Sequence, residues 1–102
     1  MRILPKPIAF QWDQGNIYKN LNKHSVTTQE AEEVFVGEPF LIIEDAKHST
    51  NIEQRFHGLG HTKTKRKLFV VFTIRDKKIR IISVRDMKRK ERQLYEEFEE
   101  NS

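Results

Sequence analysis

The chain has 102 residues, 19 Lys and Arg against 15 Asp and Glu, a net charge of +4 and a pI near 9.5. That is room for one core, read as one domain over 1–102 with residues 1–7 as an N-terminal extension. There is no Cys, which excludes disulfide scaffolds, Cys-ligated zinc, Fe–S clusters and thiol nucleophiles, and no apolar run approaches the ~20 residues of a membrane span.

Residues 8–12, Ile-Ala-Phe-Gln-Trp, read as a short strand. Asp13 can cap a helix over 14–24, where Ile17, Leu21 and His24 share one face. Thr27-Thr28-Gln29-Glu30 is a capping box. The helix it starts puts Ala31, Val34 and Phe35 on one side and ends at Gly37 and Pro39. A strand follows at 40–44. A second covers 54–61, where Gly58 and Gly60 predict a bulge or bend. After a basic turn at 63–67, Leu68 to Ile74 is apolar at every position but Thr73, the pattern of a central strand covered on both faces. Asp76-Lys77 is a tight turn into a strand over 78–84, so these two strands form a hairpin. Asp86 can cap a last helix over 87–100, with Met87, Glu91, Leu94 and Phe98 on its inward stripe and Tyr95 beside them. The order β-α-α-β-β-β-β-α with short connections predicts an α+β fold. It is a small antiparallel sheet with two N-terminal helices and a C-terminal helix packed on it.

Charge is unevenly spread. Residues 63–92 hold thirteen basic side chains and three acidic ones, whereas 93–102 hold four Glu and no basic residue. Such a block attracts polyanions, and nucleic acid is the expected target. Lys63, Lys65, Arg66, Lys67, Lys88 and Arg89 are its expected RNA contacts.

Strict alternation along 79–85 puts Arg80 on one face and Arg85 on the other. A planar guanidinium on such a strand grips phosphate bidentately. Glu91, on the inward stripe, needs a cation, and Arg80 and Arg85 are nearest in sequence. That pair is either a structural bridge or a carboxylate orienting a catalytic arginine. Arg55 follows Glu53 by two residues on a strand, so these too can pair. His57 and His61 would lie ~13 Å apart, too far to share a metal, and no HExxH is present. No metal and no cofactor are expected. No Ser has a nucleophile-elbow context. A basic, metal-free set of His, Arg, Lys, Glu and Tyr suits RNA cleavage, because the 2′-OH is an internal nucleophile. The protein then need only supply charge stabilisation and proton transfer.

Several motifs occur together: Trp12-Asp13, Asn20-x-x-Lys23-His24, Glu53-x-Arg55-Phe56, Arg80-Ile-Ile-Ser83-x-Arg85 and Glu91-Arg92-x-x-Tyr95. With Ala31 to Phe35, Asp45 and His48, this set resembles the BrnT ribonuclease toxins of bacterial type II toxin–antitoxin systems, over about residues 8–97. The resemblance implies a RelE-like fold, metal-independent RNA cleavage, a BrnA-like antitoxin and operator DNA bound through the antitoxin complex; the absence of Cys and of a membrane-length apolar run fits a cytoplasmic location without membrane attachment. Carried over, it implies Lys23, His24, Arg55, Arg80, Arg85 and Glu91 as catalytic residues. Arg55 and Arg85 would hold the scissile phosphate, Lys23 or His24 would move the proton, and Glu91 would orient an arginine. Tyr95 is a further acid–base candidate. Ser25 stands where the family usually has Gly, and Asp86 displaces the usual Ala to Met87. The competing readings are a non-catalytic module that binds nucleic acid or protein, and a degenerate toxin that keeps only its antitoxin.

Overall fold

A computed structural model describes residues 4–102. The elements are β1 (Phe10–Gln11), α1 (Gln14–His24), α2 (Thr28–Val36), β2 (Leu41–Glu44), β3 (Arg55–His61), β4 (Lys67–Arg75), β5 (Lys78–Asp86) and α3 (Arg89–Glu100). They follow the predicted α+β order. The sheet runs β1-β5-β4-β3-β2. Its last four strands pair antiparallel, and β1 joins β5 in parallel.

Local chemistry sets the boundaries. The Asp13 side chain accepts from the Asn16 amide and starts α1. Thr27 and Glu30 close the reciprocal capping box of α2. Asp76 and Lys77 take φ of 53° and 61° between β4 and β5. Two left-handed central residues give the turn whose twist suits a two-residue hairpin.

The main core lies between α2 and one face of the sheet. Val26, Ala31, Val34 and Phe35 pack on Phe56, Leu68, Val70, Phe72, Ile79, Ile81 and Val84. Phe35 is the hub, with ring centroids 5.0 Å from Phe72 and 4.9 Å from Phe40. Each large side chain buried here contributes about 1.5–3 kcal/mol. Gly58 and Gly60 serve this core rather than a bend. A Cβ on Gly58 would lie 2.5 Å from Cζ of Phe40, and one on Gly60 2.9 Å from Cδ1 of the same ring. The register of β3 with both its neighbours is unbroken. The irregularity sits between β4 and β5 instead. Val71 pairs with Ser83 but Phe72 pairs with Ile81, leaving Ile82 as an extra residue.

The second face of the sheet carries a smaller cluster of Leu59, Met87 and Tyr95, with Leu41 and Phe69 against it. The expected double cover of β4 is therefore incomplete, and Phe69 and Val71 are only half-buried. Two expectations for the last helix also change. Asp86 does not cap it. Lys88 takes the cap position, and Asp86 binds Arg66 instead. Tyr95, not Leu94, is the buried centre of α3, and Leu94 is exposed. The Tyr95 hydroxyl earns that place by donating to the Pro39 carbonyl at 2.6 Å, with His61 at 2.8 Å.

Among the described residues, no strand covers the outer edge of β5 beyond Arg80. Here α1 does the covering. Asn20 accepts from the Val84 amide and Asn16 donates to the Ile81 carbonyl. An open sheet edge is thereby closed by side chains. Among the described residues, no helix is long and apolar enough to cross a membrane.

Candidate functional site

Directly paired residues of neighbouring strands point to the same face. On the face away from α2 this makes three rows. Arg55, Thr73 and Arg80 form one, His57, Val71 and Ser83 the next, and Leu59, Phe69 and Arg85 the third. The buried contacts of α3 centre on the third row. The other two remain as a shallow basic surface beside it. The bulge at Ile82 is what brings Arg80 and Arg85 to the same side. Without it, five residues of strict alternation would part them, which corrects the expectation of one arginine per face.

The three arginines are held differently. Arg85 is clamped. Its Nη1 and Nη2 donate to the two carboxylate oxygens of Glu91 at 2.8 and 2.9 Å. Its guanidinium lies 4.2 Å over the centroid of the Phe69 ring, a cation–π contact. Burial works against the Glu91 charge, but Arg85 and the Lys88 amide outweigh it and hold the carboxyl below its ordinary 4.5. Arg80 is tied loosely, with Asp13 at 3.8 Å. The Arg55 guanidinium has no hydrogen-bond or ion-pair partner among the described residues. Glu53 goes to Arg75 instead, at 2.6 Å. Antiparallel register explains this, because Arg55 pairs with Thr73 and so sets Glu53 opposite Arg75.

One constellation was not anticipated. Oδ2 of Asp45, in the loop after β2, lies 2.9 Å from Nδ1 of His48 and 2.9 Å from Nε2 of His57. Burial pushes the Asp45 carboxyl upward, yet the hydrogen bonds from His48 and His57 hold it below its ordinary 3.8. The His57 ring then packs edge-on to Phe69, with centroids 4.9 Å apart. Phe69 thus stands between His57 and Arg85. The only sequence signal was the Asp45-x-x-His48 spacing, in which Asp45 also accepts from the His48 amide. Among the described residues no group of three or more His, Cys, Asp or Glu is disposed to hold a metal ion.

The remaining expected residues scatter. Lys23 and His24 end α1 along the edge of β5, and no hydrogen bond or ion pair among the described residues joins either side chain to the three rows. Tyr95 is fully buried, and burial, with Glu99 nearby, pushes its hydroxyl up to about 12. Its hydroxyl is engaged by the Pro39 carbonyl and His61 and has no exposure to a substrate, which sets its role as packing. Arg66 is a staple rather than a free cation. It binds Asp86 and Glu30 and the carbonyls of His24 and Ser25, joining α1, α2 and β5. Lys67 pairs with Glu96. Lys63, Lys65, Lys88 and Arg89 are exposed.

The family model for the ribonuclease toxin BrnT of type II toxin–antitoxin systems matches residues 12–91. The chain belongs to the BrnT family. No curated protein sequence matches it. Its fold is similar to the crystal structure of the Brucella abortus ribonuclease toxin BrnT, with a TM-score of 0.60 and 18% identity. The match covers 80% of this chain and 99% of that one. Membership in BrnT implies an RNA substrate and an antitoxin partner. The matched segment contains all three rows, the Asp45 loop and Glu91, and begins at Trp12.

Proposed function

We propose that this BrnT-family chain is a metal-independent endoribonuclease that cleaves RNA by attack of the ribose 2′-OH on the adjacent phosphodiester. The observation that carries the reading is the gathering of Arg55, Arg80 and Arg85 on one open face beside His57. Phosphoryl transfer to an internal nucleophile builds negative charge on the phosphorane oxygens, and guanidinium groups preset around it lower the barrier. The Arg55 guanidinium, without a partner among the described residues, and the loosely held Arg80 are available to phosphate oxygens. Arg85 is presented in fixed orientation by Glu91 and Phe69. The exposed Lys63, Lys65, Lys88 and Arg89 extend the cationic track for flanking phosphates. Lys23 and His24 lie at the end of α1, and in this reading they contact the RNA rather than transfer the proton.

A BrnA-like antitoxin neutralises the toxin, and the pair binds operator DNA through the antitoxin. The cell compartment of this reading is the cytoplasm. The test is regulated expression in a bacterial host with primer extension on total RNA, followed by cleavage with purified protein in excess EDTA. Growth arrest with new RNA ends, EDTA-resistant cleavage and a silent but folded Arg85→Ala variant are expected. Normal growth with intact RNA would support a non-catalytic binding module instead.

A further inference from the structure

We infer that His57 is the general base of this site and that Asp45 is the residue that positions it. The inference rests on the endoribonuclease reading and adds the acid–base chemistry to it. An ionised carboxylate only accepts hydrogen bonds. Oδ2 of Asp45 lies 2.9 Å from Nε2 of His57, so that nitrogen carries the proton in the neutral ring. Nδ1 of His57 is then an unprotonated lone pair with no hydrogen-bond partner among the described residues. The side chain is 34% exposed, so the lone pair is not sealed in the core. The Phe69 ring, packed against the imidazole at 4.9 Å, fixes the ring plane, while Asp45 fixes the tautomer. This is the arrangement by which a buried carboxylate orients a base and stabilises the imidazolium it becomes.

Charged and titratable groups face His57 from every neighbouring element. Asp45 and His48 approach from the loop after β2, and Arg55 and His61 share its strand. Lys67 and Arg75 on β4 and Lys78, Arg80 and Arg85 on β5 are the cations of the same face, with Glu53 bound to Arg75 and Glu91 of α3 bound to Arg85.

In the step itself, Nδ1 of His57 takes the 2′-OH proton as the 2′-oxygen bonds to phosphorus. The bond from phosphorus to the 5′-oxygen breaks, and that oxygen takes a proton from water. The products are a 2′,3′-cyclic phosphate and a 5′-hydroxyl end, and His57 returns its proton to solvent.

The experiment uses the full chain and a fluorescent single-stranded RNA oligonucleotide, with cut ends identified by mass spectrometry. His57→Ala and His57→Gln, checked for folding by circular dichroism and melting, are each expected to lose about 10²–10⁴-fold in kcat. Asp45→Asn is expected to lower kcat with little change in KM. Nitrogen NMR of the wild-type protein is expected to show the His57 proton on Nε2, and the preference is lost in Asp45→Asn. Cleavage that survives both His57 substitutions within about threefold, or a proton found on Nδ1, overturns this inference alone. A wild-type chain that binds RNA and never cuts it overturns the endoribonuclease reading and this one with it.

Discussion

Arg80 and Arg85 lie on the same face of β5, although strict alternation would put them on opposite faces. The extra residue Ile82 resets the alternation, so that Ile81 and Val84 both enter the core while Arg80 pairs with Thr73 and Arg85 with Phe69. A single bulge therefore brings two cations that alternation would separate onto one face of the sheet. Bulges recur beside active sites for this reason.

Glu91 should matter to activity more than to stability. Its two oxygens hold both terminal nitrogens of Arg85, with each side chain about a fifth exposed. Glu91→Gln removes the charge and half of the fork but leaves Arg85 present. RNA cleavage is expected to fall about tenfold, against about 10²–10³-fold for Arg85→Ala, which removes a transition-state donor outright. The cost in unfolding free energy is expected to stay near 1 kcal/mol, since the pair is partly solvated. Steady-state cleavage and denaturant melts on the two variants measure the difference.

Arg66 and the neighbouring lysines should separate cleanly. Arg66 joins three elements through Asp86, Glu30 and two carbonyls. Arg66→Met is expected to destabilise by about 2 kcal/mol, because its removal leaves the carboxylates and carbonyls without their donor. The salt dependence of RNA binding is expected to be unchanged. Lys63→Ala and Lys65→Ala should do the reverse, leaving stability intact and each reducing the salt slope by about 0.7. Fluorescence anisotropy across a salt series, with thermal melts, distinguishes the two classes.

Much of the fold was legible because local chemistry and period agreed. Asp13, the Thr27–Glu30 box and Asp76-Lys77 each carry their own instruction, and the helix order followed. The reactive face was less legible because it depends on pairing rather than on sequence spacing. The Ile82 bulge leaves no mark in an apolar run, so the facing of Arg80 was misjudged. Glu53 meets Arg75 across a register that no local pattern encodes. His57 and Asp45 are twelve residues apart and join only when the β2–β3 loop folds back. Arg66 read as one more cation of a basic turn because its partners lie 20 to 42 positions away.

Ser25 is a local misfit that the structure makes measurable. It ends α1 at φ 52° and ψ 39°, with its amide donating to the Asn20 and Leu21 carbonyls. Glycine takes that left-handed geometry without a Cβ clash. Ser25→Gly is expected to raise stability by up to about 1 kcal/mol, the relief of the left-handed strain exceeding the added chain entropy. The Ser25 carbonyl that accepts from Arg66 is backbone and is retained. A rise in the denaturant midpoint with unchanged slope would bear this out, and a fall would show that the serine side chain stabilises the turn.

Acid should unfold the protein through identifiable carboxylates. Glu30 is held below its ordinary 4.5, first by its hydrogen bond from the Thr27 amide and also by Arg66. Asp86 is held below its ordinary 3.8 chiefly by Arg66. Glu91 is lowered too, where Arg85 overcomes the upward push of burial. A carboxyl that ionises more readily when folded contributes stability that is complete above its unfolded value. That stability is lost as pH falls through the folded one. Stability is therefore expected to be level in this respect above about pH 5 and to decline progressively below pH 4.5. Arg66→Met removes the chief cation from Asp86 and a contributing one from Glu30. Its melting temperature should start lower at neutral pH and fall less steeply in acid than that of the parent chain. Melting curves of both proteins between pH 6 and pH 3 would test this. Parallel acid limbs would mean that Arg66 is not what keeps these two carboxylates ionised.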